Sequence, residues 1–298
     1  MRSTRNDIIF DTIKIILLIL LCITTLWPFL NTLAISLNEP MDTIKGGIGI
    51  IPREFSFVNY QDVFKNEWIG VAARNSVART VIVALLQTFC TAMVAYALSR
   101  MNYIFRVPIA IIYVITMYID PGLIPGYFLM RNLGLTNSFG VYWIPAINSA
   151  WTLLVIRTYM RGLSESFVES AKIEGANEFW IFMRIIMPLC IPVLACMVLF
   201  AAVFQWNWWW DTFIFNSAKI ELTTLQYELM KKIQSANSAM SNTSVSGMMS
   251  RSVDAGNMVT PQSLRAAMVI IVSIPIICVY PFLQRYFVTG LTIGGVKG

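Results

Sequence analysis

The chain has 298 residues, of which 57% are hydrophobic and only 13% charged, with a formal net charge of +6. The charged share is about half of that in a soluble globular domain, so the composition excludes a soluble fold and predicts an integral membrane protein. There is no histidine, and the five cysteines lie singly in apolar runs, so we predict no catalytic, metal-binding or cofactor-binding residue in this chain.

Long runs without Asp, Glu, Lys or Arg mark the predicted membrane spans, because a helix needs about 20 residues to cross the hydrocarbon core. Five runs meet this length, and a shorter sixth lies between Arg106 and Asp120. The first run follows basic residues as a signal peptide would, but its length and the lack of a small-residue cleavage site predict a retained helix. The sequence thus predicts a single all-α domain, 1–298, with about six transmembrane helices at 13–37, 77–99, 105–127, 138–158, 186–210 and 265–285.

An even number of spans places both termini on one side of the membrane. Basic residues are denser on that side, which favours the cytoplasm for both termini. The predicted outer segments are then 38–76 and 211–264, in a multi-pass membrane protein. Because the basic residues are scattered between apolar runs and do not cluster on one face, no nucleic-acid partner is predicted.

The connection between the fourth and fifth predicted spans, 161–185, combines charge with helical periodicity. Val168 and Ala171 fit one apolar face of a helix, whereas Glu169 and Lys172 fit a charged face. This amphipathic pattern predicts a helix that lies along the membrane surface.

Local signals within the same connection predict its ends. Ser164 is a suitable N-cap, and Gly175 is a natural place for the first helix to end and turn. The sequence therefore predicts two short helices joined at a glycine on the cytoplasmic surface. The pattern alone is explained equally well by an interfacial loop that has no partner and by a docking site.

One motif in this connection resembles the EAA loop of permease subunits in ABC importers. That pattern is Glu-Ala-Ala, a glycine four residues later, and Ile-x-Leu-Pro before the next span. The residues that carry the resemblance are Glu169, Ser170, Ala171, Gly175, Ile185, Met187 and Pro188. The sequence departs from the pattern by serine at 170 and methionine at 187, and both are similar in size to the residues they replace.

The C-terminal stretch 284–298 also resembles the carbohydrate permeases of the maltose-transporter type. Across nearly the whole chain, including 122–125 and 133–138, the similarity is closest to the LplC- and YtcP-like oligosaccharide permeases. The resemblance implies a type I ABC importer permease fold in the bacterial cytoplasmic membrane, in which the EAA loop is a coupling helix seated in a groove of the ATPase subunit.

The resemblance also implies a set of partners and contacts. The partners are a second homologous permease subunit in a heterodimer, two ATP-binding subunits, an extracytoplasmic solute-binding protein and an oligosaccharide cargo. ATP and magnesium would bind in the partner ATPase, since this chain has no G-x-x-x-x-G-K-[ST] phosphate loop. The implied ATPase contacts are Glu169, Ser170, Ala171, Lys172, Glu174, Gly175 and Pro188 in the loop, and Gly294, Gly295 and Lys297 in the C-terminal tail.

Aromatic and amide side chains in the spans are candidates for the substrate path, because they stack on sugar C–H faces and hydrogen-bond sugar hydroxyls. An aromatic belt at the membrane interface explains at least two of the neighbouring tryptophans equally well. The candidate residues are Gln205, Trp206, Asn207, Trp210, Asn148 and Asp120.

The competing hypothesis is an ion-coupled secondary transporter of a small polar solute. Such proteins place ionisable side chains near the middle of the membrane, and no acidic residue lies centrally in a predicted span. A membrane anchor without transport would leave the amides within the spans unexplained.

Overall fold

The computed structural model describes residues 5–241 and 260–293, which form helices joined by turns. Within these two ranges the β-type pairing is confined to one isolated bridge between Asn38 and Phe55. The all-α class predicted from the sequence is confirmed. Contacts divide the chain into two compact units, whose described residues are 5–69, 229–241 and 260–274 in the first and 70–228 and 275–293 in the second.

Helix α1, Arg5–Ser36, begins the first unit and is followed by α2, Pro40–Ile44, and α3, Val58–Lys65. The part Ile8–Ser36 is long and apolar enough to span a membrane, and none of its most apolar window is buried. An apolar stretch that is exposed in this way is suited to contact with lipid or with the helices of another chain.

A polar network folds the segment between α2 and α3. Asn38 is fully buried; its side-chain amide donates to Asp42 Oδ2 at 3.0 Å, and its Oδ1 accepts from the backbone N–H of Arg53 at 2.8 Å. Arg53 Nε donates to Asp42 Oδ2 at 2.9 Å. The hydrogen bond from Asn38, with smaller contributions from Lys45 and Arg53, holds the pKa of Asp42 below its ordinary value although burial opposes this shift.

Helix α4, Trp68–Ser99, has 32 residues and is a second helix of spanning length. Helices α5, Arg106–Tyr118, and α6, Leu123–Asn132, meet at an angle of 117°. Gly122 precedes α6 with a φ of +81°, a conformation that glycine adopts without steric cost. The predicted span 105–127 is therefore a bent pair of helices.

The structure differs from the sequence-based prediction at 138–158. This segment contains a 3₁₀ turn, Phe139–Tyr142, and the helix α7, Ala150–Arg161. Twelve residues of helix are only about 18 Å long, which is short of the hydrocarbon thickness of about 30 Å. Ser149 starts α7 by accepting the backbone N–H of Thr152 at 3.3 Å, so a local cap determines where this helix begins.

The next helices are α8, Ser166–Ile173, and α9, Glu178–Ile181, followed by a π-helical turn, Phe182–Ile186, α10, Met187–Leu189, and α11, Ile191–Asn207. The helical stretch that ends with α10 meets α11 at 83°. The proline at the second position of α10 has no backbone N–H to donate, which explains an irregular ladder just before the bend.

Four elements complete the described chain. These are α12, Trp210–Phe215, a 3₁₀ turn, Ile220–Leu222, α13, Leu225–Ser241, and α14, Pro261–Ile293. The part Pro261–Val279 of α14 is the third helix that can span a membrane by length and composition.

In the part of the chain that the structure describes, three helices are therefore long and apolar enough to cross a membrane, or five if each bent pair forms one span. The sequence predicts about six. The difference lies in the segment around α7, where the lack of charge indicates burial or lipid contact but does not by itself produce a long helix.

An apolar core in the second unit joins α4, α7, α8, α9 and α11. Tyr96 of α4 packs against Phe182, with the ring centroids 5.4 Å apart. Val168 and Ala171 of α8 and Met160 of α7 belong to the same buried cluster. This packing gives the short helices α8 and α9 a fixed base, which isolated helices of that length would lack.

Candidate functional site

The connection between α7 and α11 folds as two short helices joined at a glycine, as the sequence predicts. Gly175 has a φ of +82°, its N–H donates to the carbonyl of Lys172 at 3.0 Å, and the N–H of Ala176 donates to the carbonyl of Ala171 at 3.0 Å. These two bonds form a Schellman motif, which ends α8 with a glycine in the left-handed conformation.

The two N-termini in this connection are capped differently. Asn177 caps α9, because its Oδ1 accepts the N–H of Trp180 at 2.8 Å. Ser164, the predicted cap of α8, accepts the N–H of Ser166 at 3.3 Å, whereas the residue that immediately precedes α8 is Glu165, without a side-chain cap. The predicted serine therefore supports the first turn from one position further back.

One face of α8 is turned into the chain. Val168 is 5% exposed and Ala171 is 6% exposed, and both belong to the apolar core. Of the predicted contact residues, Ala171 thus uses its small side chain to pack α8 against its own bundle. Phe179 of α9 is exposed.

The opposite face carries exposed side chains around the glycine turn. Glu169, Ser170 and Glu174 are exposed, and Ile173 is 87% exposed, the largest fraction among the large apolar residues that the structure describes. The space beside Gly175 is open, since no heavy atom lies within 4 Å of where a Cβ would be. We refer to residues 169–175 as the coupling tip.

Ile173 is the residue of the coupling tip that sequence reasoning missed. An isoleucine in the last turn of an amphipathic helix, two residues before the terminating glycine, is a signal that could have singled it out. A single exposed apolar side chain is common on any protein. This one stands out because it protrudes from a turn whose base is fully packed.

Lys172, an exposed residue of the coupling tip, forms an ion pair within the chain. Its Nζ lies 2.5 Å from Glu178 Oε1, across the glycine turn. The other oxygen of this carboxylate accepts from the Tyr96 hydroxyl at 2.6 Å. The ion pair therefore joins α8 to α9, and Glu178 joins both to α4.

Pro188, the last predicted contact of the loop, lies exposed in α10, immediately before the 83° bend to α11. The predicted tail contacts Gly294, Gly295 and Lys297 lie outside the described residues.

A buried polar cluster surrounds Arg79, in the first half of α4. Arg79 is 1% exposed and donates to both carboxylate oxygens of Asp211, at 3.0 and 2.8 Å, and to the carbonyl of Trp208 at 3.0 Å. It also donates to Gln205 Oε1 at 2.7 Å, and its guanidinium lies 4.7 Å from the ring centroid of Tyr142. We refer to these five residues as the arginine cluster.

The arginine cluster changes the interpretation of Gln205 as a substrate contact. This amide is 6% exposed and is held by Arg79, and the adjacent Trp206 is 7% exposed. Both side chains are buried within the chain. The signal that sequence reasoning missed is a pair of opposite charges, Arg79 and Asp211, each at the boundary of a charge-free run.

The remaining predicted substrate residues do not converge on one place. Asn207 is exposed and donates to Val203 in its own helix at 2.8 Å. Asn148 accepts from the Thr91 hydroxyl at 3.2 Å. Asp120 is exposed in the bend between α5 and α6 and accepts the backbone N–H of Gly122 at 2.9 Å, while Trp210 stacks edge-on against Trp209.

The fold and these contacts define the chain as a polytopic membrane subunit with a packed, protruding coupling tip. The chain matches no family model. It is 30% identical, over 97% of its length and 99% of the relative, to the polygalacturonan/rhamnogalacturonan transport system permease protein YtcP of Bacillus subtilis. It is 29% identical, over 100% of its length and 98% of the relative, to the protein LplC of the same organism.

A solved structure is also similar. The chain aligns with a TM-score of 0.83 and 26% identity, over 96% of its length and 99% of the other chain, with a bacterial ABC transporter involved in the import of the acidic polysaccharide alginate. The chain therefore belongs to the permease subunits of sugar ABC transporters, as the EAA-like motif predicts.

Proposed function

We propose that this chain is the membrane subunit of an ATP-driven oligosaccharide importer, and that its coupling tip docks the ATP-hydrolysing subunit. The observation that supports the docking is the exposure of Ile173 above a buried base. An exposed apolar anchor surrounded by polar residues is the usual anatomy of the energetic centre of a protein interface.

The charges and the backbone of the coupling tip fit this role. Glu169 and Glu174 flank Ile173 and are exposed, so that they can fix orientation at the rim of a groove more than they add affinity. The open space at Gly175 allows a partner surface to approach the backbone closely. The remaining predicted contacts, Ser170 and Pro188, are also exposed.

ATP and magnesium belong to the partner subunit in this proposal. The sequence contains no phosphate-binding loop of the type that cradles nucleotide. Binding and hydrolysis of ATP would move the coupling tip, and the bundle would switch the side to which its cavity opens. The proposed assembly contains two ATP-binding subunits, a second homologous permease subunit and a solute-binding protein outside the cell. The exposed apolar surface of α1 is suited to contact with lipid or with a helix of the second permease subunit.

The cargo we propose is an oligosaccharide released from an acidic plant or algal polysaccharide. Support comes from the relatives, one named for polygalacturonan and rhamnogalacturonan transport and one for alginate import. In this chain the exposed rings of Trp208, Trp210 and Phe213 offer stacking surfaces near the end of α11.

The topology we propose places both termini and the coupling tip in the cytoplasm of a bacterium. The higher density of basic residues on that side supports it.

The test is reconstitution. The chain is co-expressed with its companion permease and ATPase subunits, purified as a complex and placed in vesicles with the loaded solute-binding protein. We expect the ATPase to co-purify and a labelled digest of polygalacturonan to be taken up only when ATP is present. Uptake by the permease subunits alone, driven by an ion gradient, would instead support a secondary transporter.

A further inference from the structure

We propose that Glu178 is a positioning residue that clamps the coupling tip to the end of α4, and that Lys172 acts through this clamp and not as a contact to the ATPase. The inference rests on the proposed docking function and adds to it how movement of the tip reaches a spanning helix.

The clamp is one carboxylate held from two sides. Glu178 Oε1 pairs with Lys172 Nζ of α8 at 2.5 Å, and Glu178 Oε2 accepts from the Tyr96 hydroxyl of α4 at 2.6 Å. Tyr96 is 7% exposed, and the Arg100 guanidinium lies 4.7 Å from the centroid of its ring. The position of Glu178 is thus determined by two helices, α8 and α4, which are distant from each other in sequence.

The energetics favour a role in positioning over a role in stability. The side chains of Lys172 and Glu178 are 46% and 55% exposed. An ion pair that is exposed to this extent adds little to the free energy of folding. Its geometric effect is larger, because it ties the two helices on either side of the glycine turn to each other and, through Tyr96, to α4.

A cavity lies beside the clamp and leaves room for the coupling tip to move. The three members of the clamp line this cavity of about 550 Å³ between the last turns of α4, the loop that follows it, and helices α8 and α9. The cavity leaves part of the space between α8 and the end of α4 unpacked, so side-chain packing resists a tilt of the tip less there. The hydrogen bond and the ion pair are polar contacts that join α8 and α9 to α4 beside this cavity, while Val168 and Ala171 pack α8 into the apolar core.

Two explanations for Lys172 can therefore be separated by a charge exchange. If Lys172 meets an acidic group on the ATPase, then K172E is harmful and a second change at Glu178 cannot repair it. If Lys172 acts through Glu178, the double variant K172E/E178K rebuilds the ion pair with the charges exchanged.

The experiment uses the complete importer in vesicles and measures the ATP hydrolysis that the solute-binding protein, loaded from a digest of polygalacturonan, stimulates. We expect K172E and E178K each to lower the stimulation about fivefold or more, within the usual range of a coupling free energy between sites, while the ATPase still co-purifies. We expect K172E/E178K to recover most of the wild-type stimulation.

A second pair of variants avoids any change of charge. Tyr96→Phe removes only the hydroxyl, and we expect it to lower the stimulation in the same direction. The matched control is Tyr159→Phe. The Tyr159 hydroxyl donates to the carbonyl of Leu189 at 3.5 Å, away from the clamp, so this variant should retain wild-type stimulation.

The possible results separate a failure of the clamp from a failure of the docking function. A double variant as impaired as its parents, or single variants and Tyr96→Phe with normal stimulation, overturns the clamp and leaves the docking function standing. A wild-type complex from which the ATPase is missing, or in which ATP hydrolysis does not respond to the loaded binding protein, rejects the proposed function and with it this inference.

Discussion

Two regions of α4 carry the same kind of chemistry in opposite settings. In its first half the arginine cluster is buried, with Arg79 1% exposed and 14% of the Asp211 side chain accessible. At its C-terminal end the ion pair of Lys172 and Glu178 is about half exposed and lies beside Ile173. Tyr96 and Arg79 are 17 residues apart, about 25 Å along the helix. The comparison shows that burial, and not the presence of charge, separates a cluster that stabilises the fold from an exposed ion pair that positions a surface turn.

The first prediction tests the structural side of this comparison and has the largest expected effect. Arg79→Leu leaves the carboxylate of Asp211 without its partner in a largely buried place, and we expect a loss of about 3 kcal/mol in stability. The measurement is the yield and thermal stability of the permease after extraction in detergent. Arg74→Leu, on an exposed position of the same helix, is the control and should be unaffected. Equal stability of the two variants would contradict a structural role for the cluster.

The second prediction tests the exposed side. Ile173→Glu places a charge where an apolar anchor is proposed, and we expect about 30-fold weaker binding of the ATPase, as for a loss of about 2 kcal/mol at an interface centre. Because Ile173 is exposed, the thermal stability of the permease itself should not change. Ile51→Glu, at a residue that is 73% exposed in the first unit, is the control. Unchanged ATPase binding in the Ile173 variant would remove this residue from the interface.

The third prediction concerns the turn that presents the coupling tip. Valine at 175 is strained at a φ of +82°, at a cost of about 1–3 kcal/mol, whereas asparagine tolerates this conformation better. We therefore expect Gly175→Val to reduce ATPase binding and stimulated hydrolysis, and Gly175→Asn to retain most of both. If the two variants behave alike, ATPase binding depends on the close approach of the partner to the glycine and not on the backbone conformation at position 175.

The fourth prediction has the smallest effect and lies away from both ends of α4. The pKa of Asp42 is lowered, so its ionised form stabilises the fold above its ordinary pKa of 3.8, and this contribution is lost as the pH falls through the lowered value. We expect Asp42→Asn to weaken the pH dependence of thermal stability below 3.8. An unchanged pH profile would show that the network of Asn38 and Arg53 does not depend on this charge.

Parts of the fold that depend on local rules could be predicted from the sequence. The charge-free runs correspond to α1, α4 and α14 because those helices are uninterrupted. The turn at Gly175 was predictable because a glycine after an amphipathic helix is the usual C-terminal signal. The segment around α7 was not, since the cap at Ser149 sets the start of the helix and the lack of charge carries no information about caps.

The candidate site divides in the same way. Val168 and Ala171 share a face, as their spacing predicts, but the spacing does not tell whether that face meets the bundle or a partner. The contacts between Arg79 and Asp211 join residues 132 positions apart, and the bond between Tyr96 and Glu178 joins residues 82 positions apart. No local pattern encodes such pairings, so the sequence predicts Gln205 as a substrate contact and does not predict that Glu178 joins Lys172 to α4.

The most direct test of the account is photo-crosslinking within the assembled importer. A photoreactive amino acid is placed at position 173 of the coupling tip and, as a comparison, at position 207 at the end of α11, and the products are identified by mass spectrometry. The account predicts a crosslink from position 173 to the ATPase subunit and none from position 207. A complex in which position 173 crosslinks to lipid or to nothing, although the ATPase is bound, would contradict the proposed docking role.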